Sequence, residues 1–551
     1  TRIDRAGLIV KGRENVLTYS NDFSNAAWVK SNASVTSGQS GYDGTNNAWL
    51  LKGNTSNLAH RVYNAVSNTN INTLSVYVKA SGHNYIQILS GNTVNQYANF
   101  DLSDGSIGNY GVDFTPKIES VGNDWYRISA FNNSDLVYSY IQLVSSKTAV
   151  WNESWAMPNN TDGVLIQDAQ AELGLAASPY IESGATNGTA GVLENTPRLN
   201  YTTGVANPYL LLEPSRTNLL VQSEYFEASY WTKNDGSLTS GFVSPDGTSN
   251  AYKFVEDTST GTHNIEKYIS SANGSTNTST IYAKKGERTH ITLYSGGGFT
   301  DSCNFDLENG TSIDNGTSTS KIELISNGWY KCSVTAINKS KHVYIMINNG
   351  LSGTNGVVYT GDGTSGVYIF GAMMEEGSYP TSYIPTYSVS ATRAQDNCNK
   401  TNASGEINST EGVLYAEVAA LDNPTAQEIA LSISEGQSGA NRLLIRMKTD
   451  GKIGVVLRVA NTTEASIDSA VLNQSVKHKI ALKWKVNDIA FWIDGIEVGT
   501  DNSANVFAAN ILDEISFNQG NGTNPFYGKV NALQVYKEAL TDAELATLTT
   551  I

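Results

Sequence analysis

Cysteine is scarce in this chain, with three in 551 residues: Cys303, Cys332 and Cys398. None is spaced as C-x-x-C, which sets aside a zinc ribbon or a redox pair. Charge is also sparse, at 16% of residues, and Asn, Ser, Thr and Gly fill the surface instead. Long Lys/Glu/Leu/Ala helices are not expected from such a composition. What charge there is runs acidic, to a net −16 and a pI near 4.9. No Lys/Arg-rich stripe is present to meet phosphates, so no nucleic-acid partner is expected. The acidity is read as serving solubility. No apolar run reaches about eighteen residues, so no membrane insertion is expected. The six histidines are scattered, without H-E-x-x-H spacing. No G-x-S-x-G elbow occurs, and no phosphate-cradling glycine loop ends in Lys-Ser/Thr. The chain opens on Thr1-Arg2-Ile3 with neither an initiating Met nor a signal peptide, and reads as the distal part of a longer or processed polypeptide.

What is present is a duplication. Asn15, Phe23, Trp28 and Lys30 recur 203 residues later as Asn218, Phe226, Trp231 and Lys233. At the other end, Ala169, Glu172, Gly174, Tyr180 and Ile181 recur at the same offset as Ala372, Glu375, Gly377, Tyr383 and Ile384. Between them lie alternating strands, Leu74 to Lys79 and Ser279 to Lys284. Asp104-Gly105 and Asn309-Gly310 have the residues a type I′ hairpin wants, because both central positions need positive φ. Short strands joined by Gly/Asn/Asp turns read as all-β, and each unit of about 170 residues fits one two-sheet jelly roll. Cys303 and Cys332 stand where the first copy has Ala98 and Ile128, both apolar strand positions. Buried free thiols are expected there, with a Cys303–Cys332 disulfide left open.

Residues 184–213 read as a connector with one strand-like run, and from Asp396 the repeat pattern is lost. Strand patterns then cover 412–418, 442–447, 452–458, 479–485 and 489–493. Asp450-Gly451 and Asp494-Gly495 supply two further hairpin turns. Thr541 and Glu544 form a capping box on a short final helix, with Leu540, Leu545 and Leu548 on its apolar side. This is a sandwich of a different kind. The expected division is 1–187 for the first jelly roll, 188–395 for connector and second jelly roll, and 396–551 for the last unit.

Two motifs carry a resemblance. Glu213-Pro-Ser-Arg-Thr-Asn-Leu-Leu220 opens the second unit, and Gly371-Ala-Met-Met-Glu-Glu-Gly-Ser-Tyr-Pro-Thr-Ser-Tyr-Ile-Pro385 closes it, before Ala391-Thr-Arg-Ala394. They resemble a modular family common in structural proteins of tailed bacteriophages. The final unit, with Ile489-Ala-Phe-Trp-Ile-Asp-Gly495 and the run from Tyr536 to Leu548, looks like a concanavalin A/laminin-G-like sandwich. The resemblance covers nearly the whole chain. It implies an all-β chain of two tandem jelly-roll β-sandwiches followed by a concanavalin A-like sandwich. It also implies a virion location, on a tail or head fibre or other surface appendage. Other virion proteins, and a homo-oligomer such as a trimer, are the implied partners. The first copy departs most from the motif, at Gln170 to Glu172 and Ser178-Pro179.

The candidate contact residues are aromatic. Trp28/Trp231 and Trp125/Trp329 recur beside apolar neighbours and are read as core, as are Trp484 and Trp492 in alternating strands. The polar loop 150–158 holds Trp151 and Trp155. Trp155 aligns with Tyr359 of the second copy, whereas Trp151 has no aromatic counterpart. Such a loop either clamps a sugar or a neighbouring subunit, or packs locally. Glu172, Glu375 and Glu376 at the repeated strand end read as structural. Glu411, Glu417, Asp422, Asp513 and Glu514 lack the alternate spacing that places two carboxylates on one strand face for glycoside hydrolysis. No catalytic residue, cofactor or metal site is assigned; calcium stays open without named ligands. The expected work is adhesion to host-surface polysaccharide without enzymatic activity. A purely structural capsid decoration and a polysaccharide-degrading enzyme with accessory modules remain as alternatives.

Overall fold

The computed structural model describes residues 1–68, 72–91, 93–134, 136–202, 204–295, 302–350 and 358–551. The chain is all-β, built as three sandwiches, with one short helix at Asp542–Thr549 among the described residues. No helix there is long and apolar enough to cross a membrane.

The first jelly roll pairs two six-stranded antiparallel sheets. The front sheet runs Ser106–Tyr110, Tyr97–Asp101, Tyr85–Leu89, Leu136–Leu143, His60–Asn68, Trp28–Ser31. The back sheet runs Phe114–Gly122, Trp125–Asn132, Asn72–Ser81, Gly163–Leu173, Ala48–Gly53, Ala33–Gln39. Alternation sends one side chain in two inward. Phe23, Trp28, Val62, Val76, Ile88, Phe100, Ile141 and Ile166 interdigitate as the core. The second jelly roll repeats this order. Its two sheets are joined because Asn264–Lys285 and Trp329–Asn348 run through both, with register shifts near Ser270 and Ser275. Cys332 is a buried free thiol in that core, and Cys303 is buried there as well.

The repeated motif residues form a clasp. Asn15 donates to the carbonyls of Ala169 (3.2 Å) and Ile181 (2.9 Å), and accepts from the amides of Leu17 and Ala171 (both 3.1 Å). Asn218 repeats all four bonds on Ala372, Ile384, Leu220 and Met374. Glu172 accepts from the Ser178 amide, and Glu375 from the Thr381 amide, stapling strand end to following turn. These carboxylates are structural.

In the final unit a seven-stranded sheet, centred on Glu411–Ala420, faces a six-stranded one across Ile433, Leu443, Ile480, Trp484, Phe491 and Phe526. Trp484 belongs to this core as expected. Trp492 does not: it faces the opposite side, under Leu545 of the helix with Val413 and Ala481. The Thr541 capping box is present.

The type I′ turns expected at Asp104-Gly105 and Asn309-Gly310 are corrected, whereas the hairpin turns expected at Asp450-Gly451 and Asp494-Gly495 are present. Asp494 (φ 52°) and Gly495 (φ 82°) both take positive φ between paired Ile493 and Ile496. At Asp104-Gly105, Asn309-Gly310 and Asp450-Gly451 only the glycine does. In the first two, four residues separate the paired strand ends, so the loop turns before a single left-handed glycine closes it.

The units are joined through buried charge. Residues 1–12 pack on the second jelly roll, where Ile9 meets Tyr282, Trp329 and Phe370. There Lys11 Nζ lies 2.5 Å from Glu224 and 2.7 Å from Asp246, all three buried. The connector splits its strands: Gly188–Ala190 pairs with Arg13–Asn15, while Tyr209–Leu212 joins the final unit's sheet at Gly528–Tyr536. At that second junction Glu213, 2% exposed, meets Arg198 at 2.5 Å, Arg393 at 3.0 Å and the Ser382 amide at 2.8 Å. This gives the Glu-Pro-Ser-Arg and Thr-Arg motifs a physical role, closing the second unit against the third.

The arginines hold the Glu213 carboxyl down at about 2, against an ordinary 4.5. A depressed carboxylate stabilises the fold above its ordinary value and loses that contribution as pH falls toward the depressed one. We expect the second junction to weaken between pH 4.5 and 2, by about 3 kcal/mol. Thermal unfolding across that range checks this: Glu213→Gln flattens the acid limb, and an unchanged limb contradicts it.

Candidate ligand-binding faces

The front sheet of each jelly roll turns its outward alternation into a polar, aromatic face. In the first unit, cross-strand pairing aligns Tyr63 with Tyr140, and Arg61 with Gln142. The next strands add Gln87 opposite Gln142 and Asn99 opposite Gln87. One row is therefore an amide ladder, Gln142–Gln87–Asn99, fully buried beneath the loop that carries Trp151 and Trp155.

The ladder pins that loop. Gln142 donates to the Glu153 carbonyl (2.9 Å), Gln87 to that of Val150 (3.1 Å), and Asn99 to that of Ala149 (2.6 Å). Gln87 accepts from the Asn152 amide (3.0 Å), and Arg61 donates to the Asn152 side chain (2.6 Å). The four bonds made by the ladder amides each satisfy a backbone group of the loop.

The three sequence candidates fall in different places. Trp155 closes the end of the sandwich: it packs against the core, donates its indole N–H to Leu143 (3.1 Å) and stacks on His83 at 5.4 Å. His60 bonds its carbonyl. Tyr359 holds the equivalent position. His263 contacts its carbonyl, its hydroxyl donates to Glu256 (2.5 Å), and Arg288 lies over its ring at 5.3 Å. Burial and Glu256 push its phenol well above the ordinary range. Trp151 sits half-buried beside the Asn152 contact, its buried indole N–H without a hydrogen-bond partner among the described residues. The position matching it in the second copy lies outside the described residues. His60 and His263, scattered in sequence, are one repeated position, each bonding the backbone at Asn32 or Asp235 and at the plug residue.

Beside the loop lies a cluster that sequence reading missed. Tyr63, Tyr138 and Tyr140 stand with ring centroids 4.9 to 5.6 Å apart. The Arg61 guanidinium lies 4.5 Å from the Tyr140 centroid and 5.7 Å from that of Tyr63. Burial pushes the Tyr140 phenol up, and Arg61 opposes that. In the second unit the matching face holds Glu266, Tyr268, Tyr294, His342 and Tyr344. His342 bonds Glu266 at 2.8 Å, and its ring lies 4.3 Å from Tyr344 and 5.3 Å from Tyr268. Asn234 donates to the other Glu266 oxygen at 3.0 Å. The signal was available as alternate spacing: Arg61-x-Tyr63, Tyr138-x-Tyr140, His342-x-Tyr344.

Chemically, each face offers aromatic rings beside fixed hydrogen-bond donors and acceptors, the composition of a site that holds a polar ring by stacking and hydroxyl contacts. Among the described residues no group of three or more His, Cys, Asp or Glu is arranged to hold a metal ion. Clefts of about 570 and 380 Å³ lie instead at the two unit junctions. They are lined by matching residues of the two back sheets: Tyr77, Lys117, Glu119 and Arg127, then Tyr282, Lys321, Glu323 and Lys331.

No family model matches the chain, and no curated protein matches it in sequence. Among solved structures, it is similar to the CBM40 module of the Ruminococcus gnavus IT-sialidase bound to alpha2,3 sialyllactose. That likeness has 19% identity, 28% coverage of this chain, 97% of that one and a TM-score of 0.23. Domains LG4-5 of the mouse laminin alpha1 chain match at 11% identity, covering 57% of this chain and 95% of that one, with a TM-score of 0.17. The LG1-3 region of the laminin alpha2 chain matches at 13% identity, covering 89% and 97%, with a TM-score of 0.16. Likenesses this distant concern β-sandwich architecture alone and carry no argument about ligand or activity.

Proposed function

We propose that this chain is a non-enzymatic adhesion protein that binds glycans on the front-sheet faces of its two jelly rolls. The observation that carries the reading is an aromatic, polar face at the same place in both units: three tyrosines with Arg61 in one, three tyrosines with Glu266 and His342 in the other. A stacking ring and a few aimed polar groups suffice to hold sugar, so binding needs no covalent step. The motif resemblance supports a place on a tailed-bacteriophage particle, as a tail or head fibre or appendage assembled with other virion proteins and touching host-cell polysaccharide. The fold by itself supports none of this.

The test is a titration of the whole chain against a panel of bacterial surface polysaccharides, repeated with Tyr63→Ala and Tyr344→Ala. Each truncation is expected to weaken binding by about tenfold, while thermal stability moves little. Binding that both substitutions leave untouched overturns the assignment of these faces.

A further inference from the structure

We infer that the first jelly roll selects an acidic, carboxylate-bearing sugar and that the second does not. This inference rests on the glycan-binding reading above. Its ground is a reversal of charge between corresponding faces of the two units.

Arg61 is half-buried at the centre of the first face, stacked over Tyr140. Its Nη1 donates to the neutral Asn152 side chain, and its Nε is buried without a partner among the described residues. No ion pair joins it to a carboxylate among those residues. With no protein carboxylate beside it among the described residues, the Arg61 guanidinium keeps its charge for an anionic ligand. Asn152 and Tyr140 fix the plane of the guanidinium, so its remaining donors are held in one orientation. A planar fork so held matches a carboxylate in geometry as well as in charge.

The second unit replaces these groups position by position. Asn264 stands at the Arg61 position and Glu266 at the Tyr63 position, with His342 and Tyr344 opposite as Tyr138 and Tyr140 are in the first unit. Glu266 is already engaged by His342 and Asn234. That face offers a sugar carboxylate no arginine and places a carboxylate nearby. Tyr140 and Tyr344 share one position and supply ring stacking on both faces, whereas the sign of the charge at the centre sets which sugar is taken.

The experiment uses the whole chain, a galacturonate oligomer and the same oligomer with its carboxyls reduced to alcohols. We expect the acidic oligomer to bind at least about tenfold more tightly than the reduced one, with the difference shrinking as salt is raised. Arg61→Met, which keeps an apolar stem over Tyr140, is expected to remove that preference. Equal binding of the two oligomers overturns the inference without reference to any variant. So does an Arg61→Met chain, shown folded by its melting curve, that keeps the preference. If neutral glycans bind and depend on Tyr63 and Tyr344 while the acidic preference is absent, this inference falls and the binding reading stands. If no glycan binds, both fall.

Discussion

Lys11→Ala is expected to release residues 1–12 from the second jelly roll, at a cost of about 3–5 kcal/mol. Lys11 is the cation between Glu224 and Asp246, and its ammonium also lies 5.2 Å from the Phe370 ring. Salt bridges of this kind gain little over a well-packed apolar alternative, because desolvating three charges offsets most of their attraction. Removing one partner is different: two carboxylates remain buried with Arg13, 3.3 Å from Asp246, as their nearest cation. Asp246 is held far below the ordinary carboxylate range by Lys11 and Arg13, against the desolvation that pushes it up. The readout is amide hydrogen exchange at Ile9, whose N–H bonds the Pro245 carbonyl at 2.9 Å. Protection there should fall by at least about a hundredfold. The triple change Lys11→Met, Glu224→Gln, Asp246→Asn should recover most of it, since no buried charge is then left alone. Protection unchanged in Lys11→Ala contradicts this account of the first junction.

The second large effect is expected at Asn218. Its side chain satisfies two carbonyls and two amides at a point where the opening loop, the closing strand and the following turn converge. Alanine leaves all four groups buried and unpaired. At about 1 kcal/mol each, the loss is about 3–4 kcal/mol. Asn15→Ala should cost the same, because the geometry is repeated within 0.1 Å. Denaturant unfolding measures both, and a loss below about 1 kcal/mol at either position contradicts the clasp.

That clasp explains why the duplication was legible. Asn15, Ala169, Glu172, Gly174, Tyr180 and Ile181 recur because their backbone or side chains close the same unit, and such positions tolerate few residue types. Strand alternation and glycine-marked turns likewise read directly as all-β sandwiches. Finer geometry was less legible for identifiable reasons. An Asp-Gly or Asn-Gly pair does not state how many residues separate the paired strand ends, so the two turns expected as type I′ are longer loops. Trp484 and Trp492 both lie in strands apolar on both faces; alternation sends Trp492 opposite Phe491 and Ile493, and the final helix buries it there. His60 and His263 looked scattered because a shared position 203 residues apart shows no local spacing.

The candidate binding faces were the least legible. Residues 61, 63, 87, 99, 138 and 140 meet only once strand order and register are set. Tryptophans drew attention first, yet Trp155 and Tyr359 close the sandwich ends, while the half-buried Tyr63, Tyr138 and Tyr344 lie on the outer faces of the front sheets.

The most direct measurement is binding of the labelled, purified chain to intact bacterial cells, before and after enzymatic removal of their surface polysaccharide, beside a Tyr63→Ala, Tyr344→Ala double variant. The account predicts saturable binding that is lost on stripping and lost in the variant. A correctly folded chain that binds none of the cells, or binds stripped cells equally well, contradicts it.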